Sequence, residues 1–136
     1  MKVIDAGQRI LVLEDIEETR DGIEKLLQAD GYRVEAVRNE RDAVECAGRN
    51  HPDLILISLG GSPREIVATA RQIRVQAELG EQIPVVVFCI GEVGEGDELA
   101  IGQNIYLTRP DNFNQLRTLL ARLLDQEQTS LAASIT

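Results

Sequence analysis

The sequence predicts an α/β fold: a doubly wound, five-stranded parallel sheet of order 2-1-3-4-5 in a three-layer sandwich. Three observations carry that prediction. Runs of consecutive apolar residues such as Leu54-Ile-Leu-Ile57 read as strands buried on both faces, which a parallel sheet covered by helices provides. Those runs alternate with segments whose apolar residues recur every three to four positions, the pattern of helices with one buried face. Right-handed crossovers between strands of this kind then place helices on both sides of one sheet.

The elements follow in order. Arg9-Ile-Leu-Val-Leu13 is a first strand closed by Glu14-Asp15. Glu17 to Asp30 reads as a helix, with Ile16, Ile23, Leu26 and Leu27 on its inner face and Gly31 as its stop. Tyr32 to Val37 alternates enough to be a strand with a more exposed face, at the sheet edge. Asn39 can cap a helix over residues 40–49, with Ala43, Val44 and Ala47 inward and Asp42 favouring the first turn. Pro52-Asp-Leu-Ile-Leu-Ile-Ser58 supplies the central strand, Leu54 to Ser58. Beyond Pro63, residues Ile66, Ala70, Ile73 and Ala77 keep helical spacing to about Glu78, and Gly80 is the expected stop. Ile83 to Cys89 is a fourth buried strand, its proline at the start where a missing donor is tolerated.

Gly91 to Ala100 stands where a fourth helix is due. It holds three glycines and four acids, and each interior glycine costs about 1 kcal/mol against alanine. That helix is therefore expected to be short, late-starting or mobile. Ile105 to Thr108 is a short fifth strand ended by Arg109-Pro110. The last helix, Phe113 to Gln126, carries Leu116, Leu119, Leu120, Leu123 and Leu124 on one stripe after an Asp111-Asn112 cap. Residues 1–8 form an N-terminal extension, 9–126 one domain, and 127–136 a tail or linker stub.

A chain of 136 residues can bury a core without disulfides or metal. Cys46 and Cys89 have no Cys or His at metal spacing and read as core thiols. No apolar run approaches the roughly 20 residues of a membrane span, and the N-terminus lacks the pattern of a secretory signal. A soluble, cytoplasmic protein is expected. With 23 acidic against 14 basic residues the net charge is -9, which repels nucleic-acid phosphates and anionic lipids.

The order 2-1-3-4-5 reverses between strands one and three, so Glu14, Asp15, Ser58, Cys89 and Arg109 should surround one crevice. A serine nucleophile needs an adjacent base. The sole histidine, His51, lies seven residues before Ser58, roughly 20 Å along the strand, which excludes a Ser-His hydrolase. The first strand-helix turn, Glu14-Asp-Ile-Glu-Glu18, is acidic where a nucleotide phosphate needs glycines and bare amides.

Five blocks, in order, resemble a response-regulator receiver domain over about residues 8–126: Ile-Leu-Val-Leu-Glu-Asp15, Gly-Tyr-Arg-Val34, Pro-Asp-Leu-Ile-Leu-Ile-Ser58, Ile-Pro-Val-Val-Val-Phe-Cys89 and Gly102-Gln-Asn-Ile-Tyr-Leu-Thr-Arg-Pro110. The resemblance implies a flavodoxin-like fold in which a histidine kinase's phosphoryl group moves to an aspartate ending strand three. It also implies Mg²⁺ on the acid pair ending strand one, a hydroxyl and a lysine on the phosphoryl oxygens, and an aromatic switch on strand five.

By that resemblance Glu14 and Asp15 are the acid pair, Asp15 holding the direct metal-ligand position. Ser58 stands at the phosphoacceptor position, Cys89 at the hydroxyl position and Arg109 at the lysine position, while Tyr106 keeps the switch aromatic. Pro63 comes one residue late, Arg64-Glu65-Ile66 replaces an Asp-Gly turn, and the segment from Cys89 to Arg109 is about two residues short.

Ser58 is neither an anion at neutral pH nor a hard carboxylate ligand, so Mg²⁺ binding by Glu14 and Asp15 is expected to be weak or lost. Arg109 is expected to pair with Asp15 or Glu14, holding them ionised and unavailable as a base for Ser58; a solvated cation capping the sheet end is the alternative. Cys89 beside a cation could be redox active, and Tyr106 could be an ordinary strand aromatic. The sequence reads as a degenerate receiver in a two-component or phosphorelay pathway, not an enzyme. It would bind a histidine kinase, an output domain or another signalling protein, alone or as a homodimer. The competing reading is a Mg²⁺-dependent phosphoacceptor using a residue other than aspartate.

Overall fold

The computed structural model describes residues 7–88 and 93–135, with side chains to residue 125. Cys89 and Gly91, named above, lie outside the described residues. Six strands form one sheet of order β2-β1-β3-β4-β6-β5: β1 (Arg9–Glu14), β2 (Arg33–Val37), β3 (Leu54–Ser58), β4 (Val85–Phe88), β5 (Glu98–Ala100) and β6 (Ile105–Thr108). The five strands foreseen as parallel are so, in the foreseen order. The sixth, β5, is an antiparallel addition to β6.

Strand alternation divides the core in two. Ile10, Val12, Leu54, Leu56 and Val86 face one side and meet Ile23 and Leu27 of α1 (Glu17–Ala29) and the leucine stripe of α4 (Phe113–Ile135). Leu11, Leu13, Ile55, Ile57 and Val87 face the other, under α2 (Glu40–Arg49) and α3 (Pro63–Gln76). The β1 and β3 apolar residues are at most 2% exposed, so these central strands are covered on both faces as their unbroken apolar runs require.

Helix ends follow local chemistry. Gly31, at φ 95°, closes α1 by donating to Gln28 O while Tyr32 N–H reaches Leu27 O, which satisfies the last carbonyls. Asn39 caps α2 by accepting from Asp42 N, and Asn112 accepts from Gln115 N at the start of α4. Helix α3 starts with a capping box: Ser62 Oγ accepts from Glu65 N at 3.2 Å, and Glu65 Oε1 accepts from Ser62 N at 3.0 Å. The Ser62 backbone N–H, and after it the Ser62 side chain, favour the ionised carboxylate and hold the Glu65 pKa below its ordinary value.

The Glu65 contribution to stability is therefore full above its unfolded pKa and lost as pH falls through the lower folded one. Ser62→Ala keeps the backbone N–H, the larger cause, so the Glu65 titration, followed by NMR, should move only part of the way toward the ordinary glutamate range; a complete return would show that the backbone bond does not hold without the hydroxyl.

Several expectations are corrected. Ile16 and Leu26, placed inward by periodicity, are 59% and 47% exposed. Helix α3 ends before Gly80: Glu78, at φ 57°, takes the left-handed position, and Leu79 N–H closes on Arg74 O. The last helix continues past Gln126 to Ile135. In the fourth-helix region, the described residues show a turn and then β5, whose partner is reached through Gly102, Gln103 and Asn104 at φ 99°, 56° and 60°. Cys46 is buried and unpaired, as its position implied. Burial, then its hydrogen bond to Glu35, pushes its thiol up to about 11, so it is a protonated core group at neutral pH.

Candidate functional site

The parallel register of β1 and β3 sets Glu14 beside Ser58 at the carboxyl ends of the two central strands. Ser58 Oγ donates to Glu14 Oε1 at 2.7 Å. The other carboxylate oxygen, Oε2, accepts from Ile16 N–H at 3.0 Å, and Arg20 Nη1 donates to the Glu14 carbonyl at 3.0 Å. Glu14 is only 3% exposed, so the Ser58 hydroxyl and the Ile16 amide offset the loss of water around its carboxylate. Asp15, next along the chain, is exposed.

A cleft of about 550 Å³ opens beside this pair, between the β3-α3 loop and the end of β6. Its walls include Ser58, Leu59, Ile66, Phe88, Thr108 and Arg109. Thr108 is buried with Oγ1 3.5 Å from Asp97 O. Arg109 N–H donates to the same carbonyl at 3.1 Å, while Gly96 N–H donates to Arg109 O at 2.6 Å. The β5-β6 hairpin thus fixes the backbone on which Arg109 stands.

The structure joins Ser58 to Glu14 and sets Arg109 in the same cleft. The foreseen ion pair is absent: among the described residues, the salt bridges join Arg41 to Glu45, Arg117 to Asp30 and Arg122 to Glu98, with none from Arg109 to Glu14 or Asp15. Glu14 is held by a serine hydroxyl and an amide. That bond had a signal in the sequence, since register alone brings the last residues of two adjacent strands together. Phe88 and Thr108 were not singled out; each ends a strand at the crevice. Tyr106 is half-buried against the α1/α4 side, and its hydroxyl donates to Asn104 Oδ1 at 2.6 Å, at the opposite end of β6 from Ser58.

What the site offers Mg²⁺ is the acid pair, buried Glu14 and exposed Asp15. This hard cation keeps near-ideal octahedral geometry among oxygens, usually on one or two carboxylates. Both Glu14 oxygens already accept hydrogen bonds, Ser58 brings no charge, and among the described residues no group of three metal-ligating side chains occurs.

An open α/β sheet with its crevice at the carboxyl ends of the strands, where the strand order reverses, defines a doubly wound domain of flavodoxin type. The chain matches no family model. It is 31% identical to the receiver domain of the sensor histidine kinase PA1611 of Pseudomonas aeruginosa, over 88% of this chain and 99% of that one, at a TM-score of 0.67. That structure has a magnesium ion coordinated in its active-site cleft. The fold is also that of the chemotaxis protein CheY4 of Vibrio cholerae, at a TM-score of 0.66 over 87% of this chain and 99% of that one, with 21% identity.

The transcriptional regulatory protein PcoR of Escherichia coli is 31% identical over 134 residues, which are 90% of this chain and 55% of PcoR. The chain spans about half the length of such curated relatives. It belongs to the response-regulator receiver domains of two-component signalling. Among the described residues no helix is long and apolar enough to cross a membrane.

Proposed function

We propose that this chain is a degenerate receiver that signals by binding other proteins and does not take up an aspartyl phosphoryl group. One observation carries the reading: the residue ending β3 at the reversal point is a serine whose hydroxyl is already donated to Glu14. Aspartyl transfer uses a carboxylate that is anionic at neutral pH and shares a hard cation with the acid pair. Ser58 supplies neither, and both Glu14 oxygens already accept a hydrogen bond.

On this reading Ser58, Glu14, Asp15, Cys89 and Arg109 are the altered remnants of a phosphorylation pocket, and the chain is not an enzyme. Mg²⁺ binds weakly if at all. Residues 9–126 form the receiver unit, with 1–8 an extension and 127–136 a tail or linker stub, along which α4 continues to Ile135. Its partners are a histidine kinase, an output domain or another cytoplasmic signalling protein, met through the β6-α4 face or α1, without nucleic acid.

A second reading draws on the same bond. A serine hydroxyl 2.7 Å from a buried carboxylate is placed to give up its proton. Ser58 would then be a phosphoacceptor with Glu14 as base. Incubation with acetyl phosphate and Mg²⁺, followed by intact mass, decides between them. No mass gain is expected. A stoichiometric gain stable to hydroxylamine and lost in Ser58→Ala would establish the second reading, and a hydroxylamine-labile gain would overturn the first.

A further inference from the structure

We infer that the outer edge of β2 is an interface between two copies of this chain, paired antiparallel about Val34. The sheet order leaves β2 with β1 on one side only. Arg33 N–H donates inward to Gln8 O at 2.9 Å, and hydrogen-bonding direction alternates along a strand. Val34 and Ala36 therefore turn their backbone N–H and C=O outward, as a row of groups unused among the described residues, which templates strand addition. A groove of about 300 Å³ lies at the carboxyl end of this strand, between α1 and α2, walled by Ala36, Val37 and Arg38 with Arg20 and Arg49.

The sequence of the strand selects a second copy as the occupant. A twofold axis through Val34 pairs Val34 with its counterpart through two backbone hydrogen bonds. It sets Arg33 opposite Glu35 of the partner subunit, and Glu35 opposite the partner's Arg33. Those two facing pairs fall at the non-hydrogen-bonded positions, where cross-strand side chains come closest. Their side chains lie on the α2 side of the sheet, because Val34 and Ala36 pack on the α1 side. A twofold axis at Glu35 would instead set two carboxylates against each other, and one at Ala36 would face Glu35 with Val37 of the partner subunit, so only the axis at Val34 pairs opposite charges. The inference is independent of the chemistry of the Ser58 cleft.

The test is the mass of the 136-residue chain in solution, by light scattering across a concentration series at about 0.15 M salt. Wild type is expected to approach the mass of two chains. Arg33→Glu and Glu35→Arg should each weaken the dimer about tenfold by facing like charges, and the double exchange should restore it. Val34→Pro keeps the β1 ladder, whose donors come from the other residues, but removes the outward donor; it should be a monomer with an unchanged circular dichroism spectrum. A wild-type monomer throughout the series, a dimer unaffected by all four variants, or single variants not rescued by the double exchange would overturn the inference.

Discussion

Arg74→Ala is expected to destabilise the fold by about 3 kcal/mol, from the loss of charge-assisted hydrogen bonds and of packing around a buried side chain. Arg74 is 6% exposed on the inner face of α3. Its guanidinium donates to Gln103 O at 2.5 Å, to Ile83 O at 2.6 Å and to Asn104 O at 3.3 Å. These carbonyls lie at the entry to β4 and in the turn of the β5-β6 hairpin. Burial above all lowers the Arg74 pKa, yet a guanidinium stays charged at neutral pH.

One planar fork therefore ties α3, β4 and the hairpin together, and the alanine variant leaves three carbonyls without that donor. Arg74→Lys keeps the charge but presents a compact ammonium to acceptors on three residues, so it should recover only part of the loss. Urea unfolding at fixed pH measures both. A loss below about 0.5 kcal/mol for the alanine variant, the scale of an ordinary surface substitution, would mean that water replaces the guanidinium and that the tie is incidental.

The same hairpin shows where the sequence stopped being legible. Parallel strands and amphipathic helices declared themselves through local periodicity, because each buries its own apolar residues against the sheet. Glu98-Leu99-Ala100 has no such pattern: all three are exposed, and their propensities favour a helix as readily as a strand. What makes them a strand is a partner in β6 reached across left-handed residues Gln103 and Asn104, and the carbonyl clasp by Arg74 from a distant helix. A glycine-rich segment announces that a regular helix is disfavoured. It does not announce what replaces it.

In the cleft, residue types were legible and their pairings were not. Position along the strands placed Ser58 and Arg109 correctly, since each ends or follows a strand on the same side of the sheet. The assignment of Arg109 to the acid pair followed the lysine position of the resemblance and the fork geometry of a guanidinium. The register instead gives Glu14 a nearer donor, Ser58, and the start of α1 folds back to offer the Ile16 amide.

Ser58→Asp should convert this quiet pair into a metal-dependent one. The substitution exchanges a hydroxyl that donates to Glu14 for a carboxylate within hydrogen-bond distance of a buried carboxylate. Two such groups about 3 Å apart cannot both ionise cheaply. Without divalent cation the variant is expected to lose about 2–3 kcal/mol at neutral pH through a carboxyl pKa raised in the folded state.

The sign follows from linkage. A carboxyl whose folded pKa lies above its unfolded one destabilises fully at pH above the folded value, and the deficit vanishes below the unfolded value of about 4. The variant should therefore approach wild type as pH falls. Millimolar Mg²⁺, bound by the restored acid set in the folded state only, should raise its melting temperature while leaving wild type unmoved, since a ligand stabilises in proportion to its preferential binding. Melting curves of both proteins at neutral and acidic pH, with and without Mg²⁺, measure each arm. Equal responses of wild type and variant to Mg²⁺ would show that the serine is not what separates this pocket from a metal-binding one.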